Sequence, residues 1–205
     1  MKLHWSPKSP YVRKVMMVAH ETGLVERLEL VRSVALMTQP NPTLMNDNPL
    51  SKIPTLVLES GQALFDSAVI CEYLDTLHSR PRLFPESGDA RWQALRRHAL
   101  GDGLLDVLIL WRNERERAPP QQSPVLLAAF ELKTHRTLAL LEHEADVLAS
   151  TAFGIGHIAI GCALGYCGFR FPNVPWRATH PRLAHWLGMF EQRPAALKTA
   201  PHDDL

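Results

Sequence analysis

Residues 2–19 read Lys2-Leu3-His4-Trp5-Ser6-Pro7-Lys8-Ser9-Pro10-Tyr11-Val12-Arg13-Lys14-Val15-Met16-Met17-Val18-Ala19. The first four form a strand candidate, stopped by a turn over residues 6–10 that carries Pro7 and Pro10. Val12, Val15, Met16 and Ala19 then recur at helical spacing, so the chain opens strand, turn, helix. Gly23 marks the end of that helix, and Leu28-Glu29-Leu30-Val31 reads as a second strand. This order predicts a β-α-β unit with a right-handed crossover.

Downstream, residues 39–54 hold four prolines and read as a connector with one short helix after Pro42. Thr55-Leu56-Val57-Leu58-Glu59 is an apolar strand, Ser60-Gly61 a tight turn, and Gln62-Ala63-Leu64-Phe65 its hairpin partner. Asp66 and Ser67 stand before the stripe Ile70, Tyr73, Leu74 and Leu77 of a third helix. Arg80-Pro81-Arg82-Leu83-Phe84-Pro85 breaks the pattern, and no strand is legible beyond it. The expected division is therefore an α/β domain over 1–78, a linker over 79–86 and an all-α domain over 87–205.

In that second part, residues 90–111 keep a helical period, with Gly101 and Gly103 each expected to weaken the helix by about 1 kcal/mol relative to Ala. Past Pro119-Pro120, Leu127, Phe130, Leu138, Leu141, Ala145 and Leu148 mark a second long helix, antiparallel to the first. Residues 155–166 are apolar on nearly every side and belong at the centre of the bundle. A last amphipathic helix starts at His180-Pro181 and is stopped by Arg193-Pro194.

Composition narrows the function classes. Twenty-two Lys and Arg against twenty-one Asp and Glu give a net charge of +1, which offers no field to recruit nucleic acid or an acidic membrane. Cys71, Cys162 and Cys167 form no CxxC pair, and the expectation is three structural thiols in a reducing compartment. The prolines near the start interrupt any signal-peptide core and no run of 18 apolar residues occurs, so a soluble cytoplasmic protein is expected. His135, His143, His180 and His185 lack an HExxH or carboxylate cluster, and no metal is expected. Arg112-Asn113-Glu114-Arg115-Glu116-Arg117 reads as a solvated helix end.

Three places can carry chemistry, each with a plainer alternative. Ser9-Pro10 at a helix head is a favoured cap, yet its hydroxyl also sits at the positive end of the helix, where an anion is welcome. Lys52-Ile53-Pro54 is an edge proline or, with a cis bond, a turn that offers the Ile53 backbone to an extended ligand. Asp66-Ser67 is a cap, or a place where the hydroxyl holds a carboxylate and Asp66 an ammonium.

Taken in order, Ser9-Pro10-Tyr11-Val12-Arg13-Lys14, Asn48-Pro49-Leu50-Ser51-Lys52-Ile53-Pro54, Phe65-Asp66-Ser67-Ala68-Val69-Ile70 and Ile158-Ala159-Ile160-Gly161-Cys162-Ala163-Leu164-Gly165-Tyr166 resemble the cytosolic glutathione transferase superfamily, of the bacterial, serine type. The resemblance covers essentially the whole chain. It implies a thioredoxin-like N-terminal domain, an all-α C-terminal domain, a homodimer, and glutathione as co-substrate for attack on a small apolar electrophile in detoxification. It assigns the sulfur contact to Ser9, with Ser6 a nearby competitor, and the cysteinyl backbone to Ile53 beside Pro54. Asp66 and Ser67 take the γ-glutamyl carboxylate, and Lys52 neutralises part of the peptide. Tyr11, Trp111 and Arg112 are candidates for an electrophile pocket between the domains, with core packing for Trp111 and a solvated charge for Arg112 as the alternatives. A serine hydroxyl cannot form a mixed disulfide, which argues against thiol exchange. A glutathione-dependent isomerase or dehalogenase, and an interaction module without turnover, remain open on the same scaffold. One departure stands out: where members carry Ser/Thr-x-x-Asp at the start of the central helix, this chain has Gly154-Ile155-Gly156-His157. The reciprocal capping bond is expected to be missing there, with Thr151 a substitute cap.

Overall fold

The computed structural model of the chain describes residues 1–203. Its contacts gather into two compact units, Met1–Arg91 together with the residues from Pro194, and Trp92–Arg193.

The first unit opens with β1 (Lys2–Trp5), α1 (Pro10–Thr22), β2 (Glu29–Arg32) and a short α2 (Pro42–Met45). It continues with β3 (Thr55–Val57), β4 (Ala63–Leu64) and α3 (Ser67–Asp75). The sheet order is β2-β1-β3-β4, with β1 parallel to β2 and antiparallel to β3, and β3 antiparallel to β4. This is the expected thioredoxin-like order. Leu3 and Leu56, paired across β1 and β3, are wholly buried. Gly23 closes α1 in the left-handed region at φ 78°, where a Cβ is disfavoured, and Leu24 N–H returns to Ala19 O at 2.8 Å.

Residues 79–86, expected as a linker, are held against the end of α3. Asp75 is buried, and its carboxylate accepts from Leu83 N–H at 2.9 Å, Phe84 N–H at 3.1 Å and the His78 ring at 3.0 Å. Arg82 Nη1 also donates to the Asp75 carbonyl. A buried carboxylate needs such donors, so the segment wraps the end of α3 and belongs to the first unit.

The second unit is built on α4 (Gly88–Arg115), which starts just before it, and on α5 (Pro124–Ser150), α6 (Ile155–Arg170), α7 (Trp176–Thr179) and α8 (Pro181–Glu191). Ser123 N–H donates to Glu114 Oε1, and Arg97 Nη1 to Thr151 Oγ1, bonds that join opposite ends of α4 and α5, as an antiparallel pair requires. The centre is α6, buried along nearly its whole length. Its glycines are contact points: a Cβ on Gly161 would lie 2.3 Å from the Phe190 ring, and one on Gly156 2.7 Å from Arg97 Cβ. Gly101 of α4 likewise meets the Ala159 backbone at 2.6 Å, so it admits a close helix approach as well as lowering helix propensity; Gly103 has open space.

The start of α6 corrects the sequence expectation. Gly154 N–H donates to His157 Nδ1 at 3.1 Å, so the imidazole supplies the reciprocal bond from the N3 position. Thr151 does not cap α6; its hydroxyl donates to Val147 O at 2.8 Å and lies 3.3 Å from His157 Nε2. A further difference follows α8. Pro194 begins a five-residue helix, α9 (Pro194–Lys198), that packs on α1 in the first unit rather than ending the helical part.

Candidate active site

The register places three chain segments at one edge of the first unit's sheet. His4 near the end of β1 pairs with Thr55 at the start of β3, and Leu64 at the end of β4 pairs with Leu56. The exit of β1, the lead into β3 and the exit of β4 therefore share that edge. They carry, respectively, Ser9, Lys52-Ile53-Pro54, and Asp66-Ser67.

Ser9 is the N-cap of α1, and its Oγ accepts from Val12 N–H at 3.3 Å. That leaves the hydroxyl proton free to be donated, and the side chain is half-buried rather than enclosed. Ser6 is 6% exposed and its Oγ accepts from Lys8 N–H at 3.4 Å, so it supports the turn beneath Ser9. Tyr11 follows in the first turn, half-buried.

The middle segment is braced from inside. Asn48 is 1% exposed and donates through Nδ2 to Lys52 O at 3.2 Å and Thr55 Oγ1 at 2.9 Å, while Thr55 donates to Lys52 O at 2.8 Å. Ser51 lies in the left-handed region at φ 52°, and its Oγ accepts from Asn41 N–H at 2.8 Å. Lys52 is exposed, Ile53 half-buried and Pro54 buried; the Ile53–Pro54 bond is cis. Asp66, joined to Phe65 by a cis bond, is the exposed N-cap of α3 and accepts from Ala68 N–H at 2.9 Å. Ser67 is the first helical residue and buried.

Under this edge sits a group that sequence reading took only as strand. His4 is 3% exposed, with Nε2 2.7 Å from Asp47 Oδ2 and Nδ1 2.8 Å from Ser33 Oγ. Lys2 also reaches Asp47 at 2.7 Å. The Lys2 hydrogen bond first, and then that of His4, hold the Asp47 carboxyl below its usual range against the opposing effect of burial. One imidazole thus ties the residue that follows β2 to the turn that follows α2. Asn48 and Thr55 were likewise missed, because their partners are set by the turn and not by a local pattern.

The remaining candidates lie in the second unit. Trp111 is buried, with its ring centroid 4.7 Å from that of Phe171. Arg112 is not simply solvated, since Nη1 donates to the Tyr166 hydroxyl at 3.1 Å. Burial pushes the Cys167 thiol up to about 12, and all three cysteines are buried and outside any disulfide. A thiol held that high is no nucleophile at neutral pH. Among the described residues no group of His, Cys, Asp and Glu has the makings of a metal site, and no helix is long and apolar enough to cross a membrane.

Comparison with known proteins agrees with this architecture. The model of the glutathione S-transferase N-terminal domain matches residues 8–77. The uncharacterised GST-like protein YibF of Escherichia coli K12 is 31% identical over 203 residues, 98% of either chain. A glutathione transferase family member from Pseudomonas fluorescens Pf-5, solved with bound glutathione, superposes with a TM-score of 0.96 at 45% identity, over 98% of this chain and 99% of that one. A second structure from the same organism holds S-(propanoic acid)-glutathione and gives a TM-score of 0.91 at 44% identity over the same shares. The chain belongs to the glutathione S-transferase family.

Proposed function

We propose that the chain is a serine-type glutathione transferase that binds glutathione at the sheet edge of its first unit and presents the sulfur as a thiolate to a small electrophile. The observation that carries this reading is the Ser9 hydroxyl, accessible at the head of α1 with its proton available. The glutathione complex of the Pseudomonas fluorescens relative supports the ligand, and its second complex supports a sulfur that carries a substituent.

A thiol with a pKa near 8.5 is only a few per cent ionised at neutral pH. A hydrogen bond from Ser9 and the positive end of α1 both favour the anion, and each pKa unit corresponds to about 1.36 kcal/mol, within reach of one well-aimed donor. The thiol proton leaves to solvent and a carbon–sulfur bond forms. Either a leaving group departs with its bonding pair, or an activated double bond takes up a proton from water. Ile53, beside Pro54, pairs with the cysteinyl backbone, Asp66 and Ser67 hold the γ-glutamyl end, and Lys52 faces a peptide carboxylate. Tyr11, Trp111 and Arg112 are proposed to meet the electrophile. The active species is proposed to be a homodimer.

The test is conjugation of glutathione to 1-chloro-2,4-dinitrobenzene. Ser9→Ala is expected to lower kcat/KM by about 10²-fold, the size of one lost donor to a developing charge, with Ser6→Ala close to wild type. Unchanged turnover in Ser9→Ala with loss in Ser6→Ala overturns the assignment.

A further inference from the structure

Within the second unit, the start of α6 gathers hydrogen-bond donors and positive charge with no acceptor to match. Gly154 stands at the N-cap, where a serine or threonine hydroxyl would accept from a first-turn N–H, and it has no side chain to do so. The His157 imidazole takes only the N–H of Gly154 itself. Among the described residues the N–H groups of Ile155 and Gly156 are therefore left without a hydrogen-bond partner, at the positive end of a 16-residue helix.

Arg97 of α4 lies across this first turn. It is 7% exposed; its Nη1 donates to Thr151 Oγ1 at 3.2 Å, and its Nε is buried without a partner. Gly156 makes room for it, since a Cβ there would lie 3.5 Å from Arg97 Cδ, the atom that carries Nε. Among the described residues no carboxylate pairs with Arg97. Glu144 of α5, the carboxylate that bonds to the neighbouring residue of α4, accepts two bonds of 2.6 Å from Arg96. An imidazole offers no negative charge, and Arg193, whose guanidinium carbon sits 3.5 Å from the Phe153 ring centroid, adds a positive one. A buried guanidinium without a counter-charge is costly, and a guanidinium beside free helix amides is the donor set that holds an oxyanion. Thr151 is exposed, so the guanidinium it anchors lies just beneath the surface, within reach of a small ion.

We propose that Arg97 and the N–H groups of Ile155 and Gly156 form a binding site for a small tetrahedral oxyanion such as inorganic phosphate, which supplies the missing negative charge and caps α6. The site lies wholly within the second unit and is independent of the glutathione reading. Binding couples to stability, because the ion holds the entry of the central helix in its folded form and has no such site in the unfolded chain. Free phosphate and a phosphoryl group on a larger molecule share this chemistry, and the two are separated by the size of the probe.

The test follows the backbone amide resonances of isotope-labelled protein by NMR while sodium phosphate is added at fixed pH, with sodium chloride of equal ionic strength as the reference. In wild type the Ile155 and Gly156 amides are expected to shift in a saturable way with phosphate and not with chloride. Arg97→Gln is expected to weaken phosphate at least about tenfold, the loss of one charge-assisted hydrogen bond. Gly154→Ser leaves Arg97 in place but brings a hydroxyl oxygen to the same N–H groups, and is expected to weaken phosphate as well. Phenyl phosphate binding as tightly as phosphate would make the guest a phosphoryl group; binding of phosphate alone would make it the free ion. No saturable shift at Ile155 and Gly156 in wild type, or an affinity unchanged in Arg97→Gln, overturns the site. Should Arg97→Gln fail to fold, the wild-type titration and Gly154→Ser decide, and an affinity unchanged in the serine variant then overturns it.

Discussion

The His157 imidazole is held at both nitrogens, and one protonation state satisfies both. Nδ1 accepts from Gly154 N–H, so Nε2 must carry the hydrogen, which it donates to Leu148 O at 3.1 Å. A second proton would set an N–H against the Gly154 N–H. Burial first, and then the nearby charges of Arg97 and Arg193, push the His157 pKa down, against the hydrogen bond to the Leu148 carbonyl. The unfolded chain, with an ordinary histidine near 6.5, therefore binds the proton more readily than the folded one. Stability from this residue is full above about pH 6.5 and is lost as pH falls from there through the folded-state value. Burial and Lys198 also lower His20, which adds a loss of the same sign. His157→Gln keeps an acceptor at N3 but cannot titrate. Thermal unfolding between pH 7.5 and 5.5 should then show a smaller drop in Tm for the variant than for wild type; equal drops would contradict this account.

At the scale of elements, what was legible had a local cause. The β-α-β opening, the hairpin and the third helix follow from apolar spacing and from turn residues such as Gly23 and Ser60-Gly61, which act within a few positions. The parts that were missed depend on distant partners. Gly101 reads as a weak point in a helix, because nothing nearby shows that the Ala159 backbone of α6 passes 2.6 Å from where its Cβ would be. Pro194 reads as a stop signal, yet proline is equally favoured as a first helical residue, and α9 forms because α1 offers it a surface. His157 broke the family's Asp pattern, and only its contact with Gly154 reveals that an imidazole nitrogen does the carboxylate's work. In the candidate site, the joint order of Ser9, Lys52-Ile53-Pro54 and Asp66-Ser67 suggested one site, and the strand register brings the three segments to one sheet edge. The His4, Ser33 and Asp47 clasp gave no such signal, since its members are 43 and 29 residues from one another's sequence neighbourhood.

For the whole molecule, a charge of +1 gives no long-range field, so recognition is left to local groups, with the Ser9 hydroxyl proposed as the proton donor. The proposed homodimer is supported by family resemblance and by exposed apolar side chains on the connector, Leu36, Met37 and Leu50 among them. Sedimentation equilibrium at micromolar concentration is expected to return twice the 23.1 kDa chain mass, and a monomer would sink the dimer. The central claim is that the sheet edge carrying Ser9, Ile53 and Ser67 is a glutathione site. Its most direct test is isothermal titration of glutathione into wild type and Ser67→Ala, each checked for native helix content by circular dichroism. Millimolar or tighter binding by wild type, weakened in the variant, is the expected result. No heat with wild type at two temperatures, which excludes an enthalpy passing through zero, would contradict it.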